Sequence, residues 1–150
     1  MSAHQRTKGQ VGEREVAKLL REALGIDVSR NWQAQFDGGA YDLTGIPGWA
    51  VEIKRAKTES KQAWWQQTIT QAAKAELKPV LIYRIDGKGR GLRDDEKWQV
   101  MLRLSELTGD DFDSIFTVEI TLRAWISFIY KQTLSLKLAR PPTQLKKATS

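Results

Sequence analysis

Two charged residues interrupt an otherwise apolar, β-prone run at Trp49-Ala50-Val51-Glu52-Ile53-Lys54, and few folds tolerate that pattern. In an extended strand successive side chains alternate between faces, so Ala50, Glu52 and Lys54 share one face while Val51 and Ile53 point to the other. Taking an ion out of water costs several kcal/mol unless it is paired or bound to metal. The segment therefore suits a strand with one face in the core and the other opening on a polar site. The plain alternative is a salt bridge on an edge strand, worth only ~0–1 kcal/mol.

The residues just before this run support the polar site. Tyr41 to Thr44 reads as a strand and Gly45-Ile46-Pro47-Gly48 as a turn, which makes a hairpin with the run that follows. Asp42 lies ten residues ahead of Glu52, so the hairpin can set the two carboxylates side by side. Two like charges in contact call for a cation. The chain has no Cys and a single His, His4, so any metal must be held by oxygen. Hard oxygen ligands suit Mg²⁺, with Mn²⁺ able to substitute, and metal-assisted phosphodiester hydrolysis follows from such a site. Asp37 competes for the role of Asp42, but beside Gly38 and Gly39 it falls in a loop.

The remaining pattern predicts one α/β domain. A helix is expected from Gln10 to Leu24, stopped by Gly25, then a short strand within Val28–Trp32. Thr58 to Leu77 lacks Gly and Pro and sets Trp65, Ile69 and Ala72 on one stripe, which predicts a helix packed on the sheet. Val80 to Tyr83, Trp98 to Leu104 and Val118 to Ile120 read as further strands. Asp86 to Gly91 reads as a basic loop without the P-loop pattern, so no nucleotide cofactor is expected. Asp94-Asp95-Glu96 reads as a solvated turn, and Leu122 to Tyr130 as a helix more apolar than one buried face requires. Core packing or a homodimer interface accounts for that excess. Residues 1–136 are assigned to the domain and 137–150 to a basic, disordered tail.

The formal charge of +6 favours a polyanionic partner. No stretch approaches the ~20 apolar residues of a membrane span, and no apolar run follows the basic first residues, so no membrane association is expected and a cytoplasmic location is the default.

Asp42 followed by Glu52-Ile53-Lys54 resembles the PD-(D/E)XK nuclease superfamily. Lys8-Gly9-Gln10-Val11-Gly12-Glu13-Arg14 resembles the KGxxxER opening of archaeal-type Holliday-junction resolvases. Trp64-Trp65-Gln66-Gln67, Pro79-Val80-Leu81, Arg84 and Trp98 to Leu104 resemble small phage and prophage resolvase-like nucleases, so the likeness spans about residues 8–104. Tyr41 stands where the motif's name expects Pro.

The resemblance implies a restriction-endonuclease-like fold, a mixed central sheet flanked by helices. It implies catalytic roles for Glu13, Asp42, Glu52, Lys54 and Gln67, with Gln71 one turn later as the alternative to Gln67, and metal binding at Glu13, Asp42, Glu52 and Ile53. It also implies cleavage of branched DNA, Holliday junctions foremost, by a homodimer that works in a bacterial host cell if phage-encoded. Flaps, ends or duplex are the alternative substrates, and a non-catalytic DNA-binding module is the alternative of another class. Lys8, Arg14, Arg55, Lys57 and Arg84 around the site are candidate phosphate contacts, as are Lys88, Arg90 and Arg93 from the loop.

Overall fold

The computed structural model describes residues 2–36 and 39–138, apart from the side chain of Gln35. Asp37, Gly38 and most of the expected basic tail lie outside the described residues. The chain begins with helix α1, Ala3–Leu24, seven residues earlier than the apolar spacing alone predicts. The cause is a capping box: the Ser2 hydroxyl accepts from the Gln5 N–H while the Gln5 side chain accepts from the Ser2 N–H. Gly25 ends the helix in the left-handed conformation, as expected.

Six strands form one sheet in the order β1 Ser29–Arg30, β2 Leu43–Thr44, β3 Trp49–Ala56, β4 Lys78–Ile85, β5 Gln99–Arg103 and β6 Thr117–Thr121. Every neighbouring pair is antiparallel except β3 with β4, which run parallel from Trp49↔Lys78 to Ala56↔Ile85. A parallel pair needs a crossover, and helix α3, Lys61–Ala75, provides it. Pro79 is tolerated in β4 because β5 pairs only from Leu81 onward, so the missing N–H falls beyond the end of that ladder.

The alternation read from the sequence sorts the two faces. Val51 and Ile53 face α1 and α6, Leu122–Leu138, where Val16, Leu20, Trp98 and Trp125 complete the main core. Trp49 and Trp125 meet edge to face, with ring centroids 5.7 Å apart. On the opposite face Leu81, Tyr83, Ile85 and Met101 pack under Trp65 of α3.

Some expectations need correction. Gln33–Phe36 forms a one-turn helix, α2, in a stretch with no helical spacing to announce it; Asn31 starts it by accepting from the Gln33 and Ala34 N–H groups. Asp94–Lys97 is helix α4 rather than an unframed turn, with Asp95 and Glu96 held by Arg93 and Arg123. Ser105–Thr108 forms α5 and Asp111–Ile115 a 3₁₀ turn before β6. Helix α6 runs eight residues past Tyr130, to Leu138, and leaves Tyr130, Leu134, Leu136 and Leu138 exposed.

Candidate active site

The hairpin does what the spacing predicts. Leu43 pairs with Val51, and the Asp42 and Val51 backbones are joined by an N–H···O bond of 2.9 Å. The Asp42 carboxylate turns onto β3 and accepts from the Ile53 N–H at 2.8 Å. Glu52 projects from the face opposite Val51 and Ile53, and its carboxyl group lines the same cavity as that of Asp42, close enough for each to perturb the other. Lys54, two residues on and therefore on the same side, brings its amine within 3.6 Å of Glu52 Oε1. Gly45 makes the turn possible: at φ +109 a Cβ would stand 2.1 Å from the Asp27 carbonyl oxygen.

These groups line a cavity of about 780 Å³ between α1, α2, β3 and α3. Glu52 is 3% exposed and its Oε2 has no hydrogen-bond partner. Burial and then the neighbouring Asp42 carboxylate push the Glu52 pKa far above the usual carboxylate range. Asp42 is raised less, by burial and then by Glu13, against the pull of the Ile53 N–H and Lys54. The two titrate as a unit in which a proton or a cation must offset the second charge.

Glu13 reaches the cavity from α1, as the resolvase-like motif implies, but Arg30 Nε holds its carboxylate at 2.7 Å. Among the described residues no three His, Cys, Asp or Glu side chains form a group that could hold a metal ion as the side chains stand, although Glu13 lies near enough to raise the Asp42 pKa. Gln67 and Gln71 both line the cavity, yet Gln67 is exposed while Gln71 is 4% exposed with an unpartnered Oε1. Of the two, Gln71 is the one buried in the cavity wall. The signal was present in the sequence: Gln71 falls within the buried stripe formed by Trp65, Thr68 and Ala72.

The proposed phosphate contacts divide into two groups. Lys8 is bonded to Asp86, Arg55 lies between Asp86 at 3.2 Å and Glu15 at 3.6 Å, and Arg84 pairs with Glu15 at 3.2 Å. Arg93 pairs with Asp95. These four are therefore committed internally, which sequence alone could not show because Glu15 and Asp86 are 71 residues apart. Arg14, Lys57, Lys88 and Arg90 are exposed and make no ion pair among the described residues. Arg30 and Glu15 were missed, since neither falls in a motif.

A mixed sheet that sets Asp immediately before one strand of a hairpin and Glu-x-Lys on the next, with helices on both faces, defines a PD-(D/E)XK nuclease of the restriction-endonuclease-like kind. A family model described as "Phage putative PDDEXK endonuclease" matches residues 4–138, and the chain belongs to that family. A solved structure with a similar chain is that of Hjc from Archaeoglobus fulgidus, a Holliday junction resolvase from an archaeal hyperthermophile. The two are 16% identical over 73% of this chain and 83% of that one, with a TM-score of 0.42. No curated protein matches.

Proposed function

We propose that the protein is a Mg²⁺-dependent DNA endonuclease that acts on branched DNA, Holliday junctions foremost, through Asp42, Glu52 and Lys54. The observation that carries the metal-dependent reading is the buried Asp42–Glu52 pair, whose Glu52 Oε2 and neighbouring Gln71 Oε1 lack partners. Two carboxylates with further neutral oxygens fit a hard cation, which also takes waters and phosphate oxygens as ligands. Asp42, Glu52 and the Ile53 position would hold it, with Glu13 facing them from α1. Such a cation, when bound, polarises the scissile phosphate and activates water.

The chain's own residues do the remaining work. The Ile53 N–H fixes Asp42, and the strand fixes Lys54 beside Glu52, where its ammonium offsets negative charge as it develops on the phosphate. Gln71 orients groups entering between α3 and β3. Support for branched DNA comes from the KGxxxER-like segment, whose Gly9 and Glu13 line the same cavity. The apolar end of α6 offers a surface for the homodimer that symmetric cleavage of a junction needs.

The test is cleavage of a labelled four-way junction beside matching duplex, flap and single strand, in Mg²⁺ or EDTA, by wild type and Glu52→Gln. Paired nicking of the junction, lost in EDTA and in the variant, is expected. Preferential cutting of another substrate overturns the resolvase assignment but keeps the nuclease. Metal-dependent cutting of no substrate leaves a DNA-binding module.

A further inference from the structure

Of the six Trp, four are buried and Trp64 is half-buried, but Trp32 is 70% exposed. Four residues on, at the end of α2, Phe36 is 87% exposed, and this spacing sets both aromatics on one side of the helical turn. Leaving an indole in water forfeits burial that Trp ordinarily gains, so this placement calls for a reason. The platform is also tied to the active site. Asn31, the residue before Trp32, donates its N–H to the Asp42 carbonyl at 2.7 Å and its side-chain amide to the Tyr41 carbonyl at 2.8 Å.

Beneath Trp32 lies a cavity of about 240 Å³ lined by Arg14, Ala17, Arg21, Ser29 and Arg30, with no acidic residue in its wall. Arg30 lines both this notch and the active-site cavity, and Ala34 of α2 lines the latter. Arg21 spends one nitrogen on the Val28 carbonyl and Arg30 spends Nε on Glu13; among the described residues the rest of each guanidinium fork has no further hydrogen bond, and Arg14 has no ion pair. An aromatic face bordered by guanidinium groups is complementary to a nucleotide, with the base stacked and the phosphates paired.

We propose that Trp32 and the Arg14, Arg21, Arg30 notch bind an unpaired base of the DNA strand that enters the active site. This rests on the nuclease reading for its choice of DNA as ligand, and it deepens that reading: a base inside a continuous duplex cannot reach the indole face, whereas one at a branch, a flap or an end can. The notch thus selects DNA that carries an unstacked base beside the active-site cavity, with which it shares Arg30.

The test uses the full chain in EDTA, so that binding is read without cleavage. Anisotropy of a labelled oligothymidylate is compared with that of an abasic strand carrying the same number of phosphates, for wild type, Trp32→Ala and Trp32→Phe. Base–aromatic stacking predicts that wild type prefers the base-bearing strand by roughly 5- to 100-fold. Trp32→Ala should bring the ratio close to one, and Trp32→Phe should restore most of it. Arg14→Ala should weaken both strands alike. Equal affinity of wild type for the two strands overturns the proposal, as does a preference that persists in Trp32→Ala. The wild-type comparison stands even if a variant misfolds. A base preference without cleavage of any DNA sinks the nuclease reading alone, and cleavage without a base preference sinks this proposal alone.

Discussion

Glu13 and Glu15 sit two residues apart on α1, and the structure gives them opposite kinds of work, which a pair of alanine substitutions can separate. Glu15 Oε1 accepts from Arg84 and from the indole N–H of Trp98, each at 3.2 Å, and Oε2 faces Arg55 at 3.6 Å. Trp98 is fully buried, so Glu15→Ala strands its N–H at a cost of about 1–3 kcal/mol. Arg55 keeps Asp86, but Arg84 loses its carboxylate while its Nε already lacks a partner. Both arginines are about a fifth exposed, so water recovers part of that loss, and the ion pairs add roughly 1 kcal/mol in total. The sum is about 2–4 kcal/mol, or a fall in Tm of roughly 4–16 °C for a domain of this size. Glu13→Ala removes only the contact with Arg30 and relieves the repulsion on Asp42, so stability should stay within about 1 kcal/mol of wild type. Its nuclease activity should instead fall roughly 10- to 100-fold, the usual cost of losing a group that supports a metal site. Thermal and urea melts followed by circular dichroism, alongside junction cleavage, give both readouts. A Glu15→Ala protein as stable as wild type, or a Glu13→Ala protein destabilised to the same extent, refutes the division of labour.

Four further outcomes follow from the same geometry. Because the Asp42 and Glu52 pKa values are raised on folding, the folded chain binds more protons, so metal-free stability should be greatest at or below the ordinary carboxylate range. It should fall as pH rises toward the elevated values, and melts in EDTA across that range should show a slope that Glu52→Gln flattens. Lys54→Ala should abolish cleavage while DNA binding, measured by gel shift in EDTA, is retained. Gly45→Ala forces a side chain onto the Asp27 carbonyl at a positive φ and should cost at least about 3 kcal/mol by urea unfolding; a near-neutral change would contradict the turn geometry. If Arg14, Lys57, Lys88 and Arg90 carry the phosphate contacts, the logarithm of duplex affinity should fall with the logarithm of salt at a slope near −4, and substituting Lys8 should not lower that slope.

The hairpin, the strand faces and the grouping of Asp42, Glu52 and Lys54 were legible in the sequence because each depends on local rules: a two-residue side-chain period, Gly at a turn, and a fixed spacing. The central stretch of α1 was legible for the same reason, while its true start depends on a capping box that an apolar periodicity does not detect. Gln71 could be distinguished from Gln67 only once the position of α3 over β3 was known, although the stripe through Thr68 and Ala72 hinted at it. The commitment of Lys8, Arg55 and Arg84 was not legible at all. A basic residue has the same local signature whether it meets a phosphate or a carboxylate brought near by the fold.

That commitment changes what the basic residues around the site do. Lys8, Arg55 and Arg84, with Asp86 and Glu15, tie α1 across the ends of β3 and β4, and this clamp holds Glu13 where its charge acts on Asp42. In the DNA-binding reading, electrostatic affinity is thereby left to cations outside this clamp, Arg14, Lys57, Lys88 and Arg90 among them. The interior of the site keeps two carboxylates whose second negative charge is unfavourable until something offsets it. In the metal-dependent reading, a proton takes that place in the free protein, so the site does not repel an approaching phosphate with two full charges. Uptake of a cation then displaces the proton, and metal affinity rises with pH over the same interval in which metal-free stability falls. The raised carboxylate pKa values, the unpartnered Glu52 oxygen and the internal ion-pair clamp are thus parts of one electrostatic arrangement, in which the fold positions the charges and, in that reading, leaves the second carboxylate charge for a cation to offset.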